Sequence, residues 1–362
     1  MPGVGGWSYT AQPQQLLFGE GAASRLRPVL KDAGSRRTLV LTSASVAAEA
    51  VIAGLGRSVV GVLRDARPHV PVPTVRAAVA QARAENIDTV VTIGGGSVID
   101  LGKAMLFFLE QEAGTPGLTF ADRPLLTHLA VPTTLTGAEA TSTFAMTDPA
   151  ARHKQEGQTP TLMPRWAVYD PTLIATTPAM LLAGSGMTAL NHALTAVLSP
   201  GNPIAAALGM AALGQLYGAL TNLAEDPDAL AAATEAAALG ARGAASSRTD
   251  LAAALALQLG GRCGLDHGIA LGLVMGPVLR FNADALGARA EQAASLLGET
   301  DLAVAVDTLR ARHGLPASLG ELGVQPDDVA AVARMVQQHP AFRSNPRPIG
   351  EADVVQLLEA AF

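Results

Sequence analysis

Through its first half the chain alternates short β-branched and aliphatic runs with longer stretches of helical periodicity. Thr38-Leu-Val-Leu-Thr42, Val59-Val-Gly-Val-Leu63, Thr89-Val-Val-Thr-Ile93 and Leu126-Thr-His-Leu-Ala-Val131 read as strands, and Ala47 to Gly56 and Val75 to Glu85 read as helices between them. That alternation predicts βαβ units and a parallel sheet. In parallel sheets ligands gather beyond the carboxyl ends of the strands. Two loops stand at such ends, Gly94-Gly-Gly-Ser97 and Pro132-Thr-Thr-Leu-Thr-Gly137.

After Trp166-Ala-Val-Tyr-Asp-Pro171 the texture changes. From about Pro178 onward the pattern is Ala/Leu-rich and helical, with breaks expected at Pro200, Pro203, Pro227, Pro277, Pro316, Pro326 and Pro340. Small-residue helices such as Ala229 to Ala245 approach one another closely, so this half is expected to form a compact helical domain. The expected division is residues 1–174 for an α/β domain and 175–362 for an all-α domain. Mean hydropathy of +0.29 raises the question of membrane insertion, and Ile204 to Leu223 is a run without charge. It is rich in Ala and Gly, carries Gln215 and Asn222, and lacks basic or aromatic flanks, so it reads as a core helix.

The glycine turn is where chemistry first becomes visible. A β-branched strand enters three residues without Cβ, and a helix leaves them, so a ligand is able to approach the backbone. The N–H groups that open the helix favour negative charge, as a pyrophosphate would supply. The turn departs from G-x-G-x-x-G, whose third glycine would fall at Ile99. A plain strand-to-helix turn is the alternative reading of the same residues.

Composition narrows the field. With 49% hydrophobic and 15% charged residues the chain is not disordered. A formal net charge of −6 and the lack of a dense Lys/Arg block argue against nucleic acid as the main partner. The one cysteine, Cys263, makes neither an internal disulfide nor a cysteine-based metal site, and no signal peptide is visible, which fits a cytoplasmic protein. The 25 basic residues comprise 22 Arg and only three Lys, at 31, 103 and 154. A retained lysine has a different reach and proton affinity from arginine. Lys103 follows the glycine turn closely, and Lys154 follows the second loop; a specific task and chance survival are both open for them.

Five motifs occur in one order: Gly94-Gly-Gly-Ser-Val-Ile-Asp-Leu-Gly-Lys-Ala104, Val131-Pro-Thr-Thr-Leu-Thr-Gly-Ala-Glu-Ala-Thr141, Val168-Tyr-Asp-Pro171, Gly186-Met-Thr-Ala-Leu-Asn-His192 and Asp266-His-Gly268. In these the chain resembles the iron-containing alcohol dehydrogenase superfamily, which shares its architecture with dehydroquinate synthase. Leu17-Phe-Gly-Glu-Gly21 and His69-Val-Pro-Val-Pro-Thr-Val75 point within it to the maleylacetate reductase-like branch. The resemblance implies a Rossmann-like domain, a helical domain and an active site in the cleft between them. It implies NAD or NADP as cofactor, with Gly94, Gly95, Gly96 and Ser97 on the pyrophosphate and Thr133, Thr134 and Gly137 toward the nicotinamide. Lys103 would contact phosphate or support the turn. Many relatives carry an acid after the first strand that rejects a 2′-phosphate; Thr42-Ser43 stands there, so Ser43 leaves NADPH permitted.

The resemblance also implies a metal site of one Asp and three His, a donor set suited to iron or zinc. Here the Asp position is Thr188, one of the family's histidines falls at Leu257, and His192 and His267 remain. The expectation is therefore that no metal is tightly bound. A protonated imidazole or ordered hydroxyl must then stabilise charge developing on the acceptor. His267 is the first choice and His192 the second, with Thr188 orienting a water or substrate oxygen. Buried structural histidines are the alternative for both. Lys154, and secondarily Arg262, would meet an anionic substrate.

The expected activity is thus an NAD(P)H-dependent, metal-independent reduction of a small carbonyl, conjugated enone or keto acid. The alternative is a repurposed non-redox enzyme, a lyase, cyclase or isomerase, and a third reading is a non-catalytic binding protein. The expected partners are a small, possibly anionic substrate and a second copy in a homodimer, with neither nucleic acid nor membrane involved.

Overall fold

The structure, a computed structural model, describes Trp7, Tyr9 and residues 13–119 and 122–362. The chain divides into two compact units, Gln12–Pro178 and one built on Ala179–Phe362.

In the first unit the β-branched runs make strands β1 (Gln15–Phe18), β2 (Thr38–Thr42), β3 (Val59–Leu63), β4 (Thr89–Gly94), β5 (Thr127–Pro132) and β8 (Trp166–Tyr169). They lie parallel in the order β1-β8-β5-β4-β2-β3. Helices α1 (Leu26–Asp32), α2 (Glu49–Leu55), α3 (Val72–Ala84), α4 (Gly96–Glu112) and the short α5 (Pro171–Ile174) connect them. Strand residues point alternately to the two faces. Leu39, Leu41 and Val90 pack with Val75, Ala78, Leu101 and Met105 of α3 and α4. Val40, Val91 and Ile93 pack on the opposite face with Leu26, Val51 and Leu55. Each such side chain contributes about 1.5–3 kcal/mol by leaving water, so both faces must be covered, and the crossover helices cover them. Strands β6 (Thr143–Asp148) and β7 (His153–Gln158) form a separate antiparallel hairpin that the sequence pattern did not predict. It hangs from the sheet unit by a parallel bridge between Pro71 and Thr147.

One polar group sits deep under the sheet. His128 of β5 and Thr92 of β4 share a 2.9 Å hydrogen bond on the α4 face, with His128 fully buried. Gly102 of α4 makes room for them, since a Cβ there would sit 2.6 Å from Thr92 Cγ2 and 3.1 Å from the imidazole. Burial, helped by the Lys103 ammonium, pushes the His128 imidazole down to about 3 from 6.5. Between those values the unfolded chain binds a proton that the folded one refuses, so stability is lost as pH falls from about 6.5 toward 3. His128→Gln keeps a hydrogen bond without titrating. Its urea-unfolding free energy is expected to fall less steeply with acid, by about 1.4 kcal/mol per pH unit within that window.

The second unit is helical throughout: α6 (Ala179–Leu198), α7 (Pro203–Thr221), α8 (Ala229–Ala245), α9 (Leu251–Cys263), α10 (His267–Leu286), α11 (Ala288–Leu296), α12 (Leu302–Arg312), α13 (Pro326–Val336), α14 (Pro340–Ser344) and α15 (Glu351–Glu359). Helices α6, α7 and α10 are long and apolar enough to cross a bilayer by length and composition. In this unit α6 packs against α7, α8 and α10. A Cβ on Gly209 of α7 would lie 2.7 Å from Ala196 Cβ, and one on Gly243 of α8 2.8 Å from the same atom. Three backbones therefore converge on Ala196, the close approach that small residues permit.

Of the expected proline breaks, Pro203, Pro326 and Pro340 open helices, where the missing N–H costs nothing. Pro277 is a correction: it lies inside α10, buried, and the helix runs through it. The apolar face on either side of it is buried, and that packing outweighs the lost backbone hydrogen bond.

Candidate active site

The sheet changes direction between β2 and β4: the chain leaves β2 toward β3 on one side and β4 toward β5 on the other. Loops diverge there and leave a crevice beyond the strand ends. The glycine turn is placed at that point. Gly94 ends β4 opposite Pro132 of β5, and Thr133 N donates to Gly94 O at 3.1 Å, so the two strand-end loops are joined by backbone.

The three glycines are required by what touches them. A Cβ on Gly94 would stand 2.4 Å from Val98 Cγ2, one on Gly95 3.0 Å from Thr134 Cγ2, and one on Gly96 2.9 Å from Thr136 Oγ1. Gly95, Gly96 and Ser97 are partly exposed, and among the described residues no side chain caps the first turn of the seventeen-residue α4. An uncapped helix end with open N–H groups is an anion site in its own right. Thr133 and Thr134 are buried beside it, with Thr133 O accepting from Thr177 Oγ1 at 2.6 Å, and Gly137 turns the second loop at φ 70°. These residues fit a dinucleotide.

Ser43 lies just past β2, its hydroxyl 3.0 Å from that of Ser45. Thr42 is turned the other way and donates to Ile93 O at 2.8 Å, so of the Thr42-Ser43 pair only Ser43 presents a side chain at the strand end.

Lys103 does not reach toward phosphate. Its ammonium is fully buried and bonds Asp100 Oδ1 at 3.1 Å, Thr141 Oγ1 at 3.2 Å and Thr143 O at 2.6 Å. Asp100 Oδ2 in turn accepts from Ala145 N at 3.2 Å. Of the two roles expected for it, the geometry gives support of the turn: Lys103 ties the phosphate helix to the strand that follows the second loop. Lys103→Met is expected to cost about 3–5 kcal/mol in urea unfolding, since it leaves Asp100 and a carbonyl without their cation. Lys103→Arg is not expected to restore it, because a planar guanidinium does not fit the cavity of a compact ammonium. A phosphate ligand would instead show weaker nucleotide binding at unchanged stability.

Lys154 lies on β7 opposite Thr147, with its residue 8% exposed. Arg262 is engaged by Asp328, Nε to Oδ1 at 2.7 Å, so its charge is already matched by the start of α13. That pairing weakens it as the second candidate for an anionic substrate.

In the helical unit Thr188 and His192 lie one turn apart on α6. The first turn of α10 is pressed onto the preceding turn of the same stripe: a Cβ on Gly268 would fall 1.9 Å from Gly184 O. His267 opens α10 beside that contact, while Asp266 caps the helix through Gly268 N at 2.9 Å and Ile269 N at 3.1 Å. Thr188 is buried and its hydroxyl has no protein partner among the described residues. The Nδ1 of His192 is likewise unpartnered. Burial pushes the His192 imidazole down, and the Asp250 carboxylate opposes that shift in part. His192 is therefore neutral near pH 7.

Three contributors were not among the expected site residues. Thr136 walls the glycine turn. Asp100 stands three residues before Lys103, a helical i,i+3 spacing that does signal a pair. Asp250 caps α9 through Ala253 N and also accepts from Asn191 Nδ2 at 2.9 Å and Thr195 Oγ1 at 2.5 Å. Its place before an apolar run betrays the cap, but nothing local betrays contacts more than fifty residues away.

The donor set bears on iron. Thr188, His192, Leu257 and His267 offer two imidazoles and no carboxylate, and among the described residues no three His, Cys, Asp or Glu side chains cluster as metal ligands do. These residues do not fit a catalytic divalent ion.

The profile described as iron-containing alcohol dehydrogenase matches residues 13–171, and that of the Fe-containing alcohol dehydrogenase family C-terminal domain matches residues 182–362. The chain is 33% identical to a maleylacetate reductase of Sphingobium indicum over 98% of this chain and 96% of the relative. The crystal structure of maleylacetate reductase from Agrobacterium tumefaciens superposes with a TM-score of 0.83 at 27% identity, covering 99% of both chains. That of sulfoacetaldehyde reductase from Bifidobacterium kashiwanohense in complex with NAD+ superposes with a TM-score of 0.84 at 25% identity, covering 98% of both chains.

Proposed function

This chain belongs to the iron-containing alcohol dehydrogenase family, and we propose that within it the chain is a reductase of a small anionic carbonyl compound, a conjugated keto acid or enone, working without a catalytic metal. The observation that carries the reading is Thr188: a buried hydroxyl with no protein partner among the described residues stands where the family's carboxylate ligand is expected.

The nicotinamide cofactor supplies a hydride when bound. The glycine turn and the open end of α4 would hold its pyrophosphate, and Thr133, Thr134 and Gly137 would line it beyond. The residues of the helical unit then manage the acceptor oxygen. His267 donates a hydrogen bond, and finally a proton, from a ring nitrogen to the oxygen on which charge develops. His192, uncharged near neutral pH, orients rather than protonates. Thr188 holds the substrate oxygen or a water against that pair. Lys154 attracts the substrate's carboxylate, and the maleylacetate reductases among its relatives favour an acceptor of that chemical kind.

Titrating the protein with NADH and NADPH, with nicotinamide fluorescence as the signal, tests the first half; turnover against a panel of aldehydes, keto acids and enone acids tests the second. The expected result is saturable binding and oxidation of the nicotinamide by a carboxylate-bearing acceptor in preference to its neutral analogue. Binding with no oxidation by any acceptor contradicts the reaction, and a preference for neutral acceptors contradicts the role of Lys154.

A further inference from the structure

The loop that follows β3 runs beside the strand that adjoins the glycine-turn strand. That loop folds back onto the end of β2: Ser43 and Asp65 form an antiparallel bridge, and Ala66 N donates to Thr42 O at 3.2 Å. Asp65 and Arg67 are thereby brought to the carboxyl end of the strand adjoining the phosphate strand. In a doubly wound sheet this is where the adenosine ribose of a dinucleotide lies, its pyrophosphate being on the neighbouring turn.

Three features make this edge capable of reading that ribose. Arg67 Nε and Asp65 Oδ1 are 2.9 Å apart, and both side chains are nearly two-thirds exposed, so solvent weakens the pair and a ligand is able to open it. The Ser43 hydroxyl, with Ser45, adds neutral donors and acceptors on the same strand end. The neighbouring cation, Arg64, is turned away to Glu49, with its Nη1 2.8 Å from Oε1. One carboxylate and one guanidinium thus stand together where a ribose presents either a diol or a 2′-phosphate.

We propose that the Asp65–Arg67 pair selects the coenzyme by reading the 2′ position of its adenosine ribose. With NADH, the Asp65 carboxylate accepts hydrogen bonds from the ribose hydroxyls and Arg67 stays on Asp65. With NADPH, the 2′-phosphate draws the Arg67 guanidinium off Asp65 and is held by it together with the Ser43 hydroxyl, a planar fork meeting a tetrahedral anion. Each partner favours one coenzyme, so the two affinities are set against each other by adjacent residues. The inference rests on the nucleotide reading of the glycine turn.

Calorimetric titration of the full chain with NADH and NADPH separately measures it without turnover. Arg67→Ala is expected to weaken NADPH binding by about tenfold and to leave NADH within about twofold. Asp65→Asn is expected to move the ratio about tenfold the other way, and the NADPH advantage of that variant should shrink as salt is raised. Arg64→Ala removes the same charge one residue away from the pair and should leave the ratio where it was. The inference is overturned if neither Arg67→Ala nor Asp65→Asn moves the ratio by more than about twofold, or if Arg64→Ala moves it as far as Arg67→Ala does. Absence of binding by either coenzyme overturns the nucleotide reading itself, and this inference with it.

Discussion

Replacing His267 by Asn is expected to lower kcat by about 10²–10⁴ while nucleotide affinity stays within about twofold of the parent. The size follows from the absence of a substitute. In the proposed metal-free site, with threonine and leucine at two of the family's polar positions, the charge that appears on the acceptor oxygen is met by an organic donor, and His267 opens the helix packed against the α6 turn that precedes Thr188. Asparagine donates a hydrogen bond but delivers no proton, so part of the electrostatic stabilisation survives and the proton transfer does not. His192→Asn should lower kcat less, by about tenfold, because burial already keeps that ring uncharged near neutral pH and its task is orientation. Steady-state kinetics with nucleotide binding measured in parallel checks both; equal losses for the two variants would remove the distinction between donor and orienter.

Gly94→Ala is expected to weaken NADH and NADPH binding by about a hundredfold or more and to cost about 1–3 kcal/mol of stability. The added methyl would sit 2.4 Å from Cγ2 and 2.8 Å from Cβ of Val98. Val98 is buried on α4 and, being β-branched, has essentially one rotamer there, so it does not swing aside. The turn must move instead, and with it the N–H groups of Gly96 and Ser97 that would face a pyrophosphate. Trimming the obstacle supplies a control. Val98→Ala alone leaves a cavity and lowers stability, but in combination it should recover a large part of the affinity lost in Gly94→Ala. A cycle with no such recovery would mean that the turn is not held in its working shape by that packing.

Much of the sheet unit was legible from local pattern. β2 and β3 have the bounds that their β-branched runs predict, and the glycine turn sits at the end of β4 as expected, because continuous β-branched runs and turn chemistry are both local properties. The β6–β7 hairpin was not legible. Its strand Thr143–Asp148 is partly exposed and His153–Gln158 is polar, and what holds them comes from far away in sequence: a bridge from Pro71 to Thr147 and the bonds of Lys103 and Asp100 to Thr143 and Ala145. Pro277 misled for the same reason, since a helix already buried on both sides of a proline is not ended by it. Among site residues, the glycines and Thr188 could be placed from motif spacing. The task of Lys103 could not, because three of its contacts, to Asp100, Thr141 and Thr143, choose between phosphate and protein, and two of them lie about forty residues on. The occupation of Arg262 by Asp328, and the hold of Asp250 on Asn191 and Thr195, are likewise products of helix packing and have no sequence signature.

An oxidoreductase of a family named for iron is proposed to perform hydride transfer here with imidazole and hydroxyl groups in place of the metal. Elemental analysis of the purified protein, followed by carbonyl-dependent oxidation of NADH and NADPH before and after exhaustive chelation, tests that claim most directly. The account predicts iron and zinc far below stoichiometric and the same kcat on both sides of the chelation step. Stoichiometric iron or zinc, or activity that chelation abolishes and added metal restores, would contradict it.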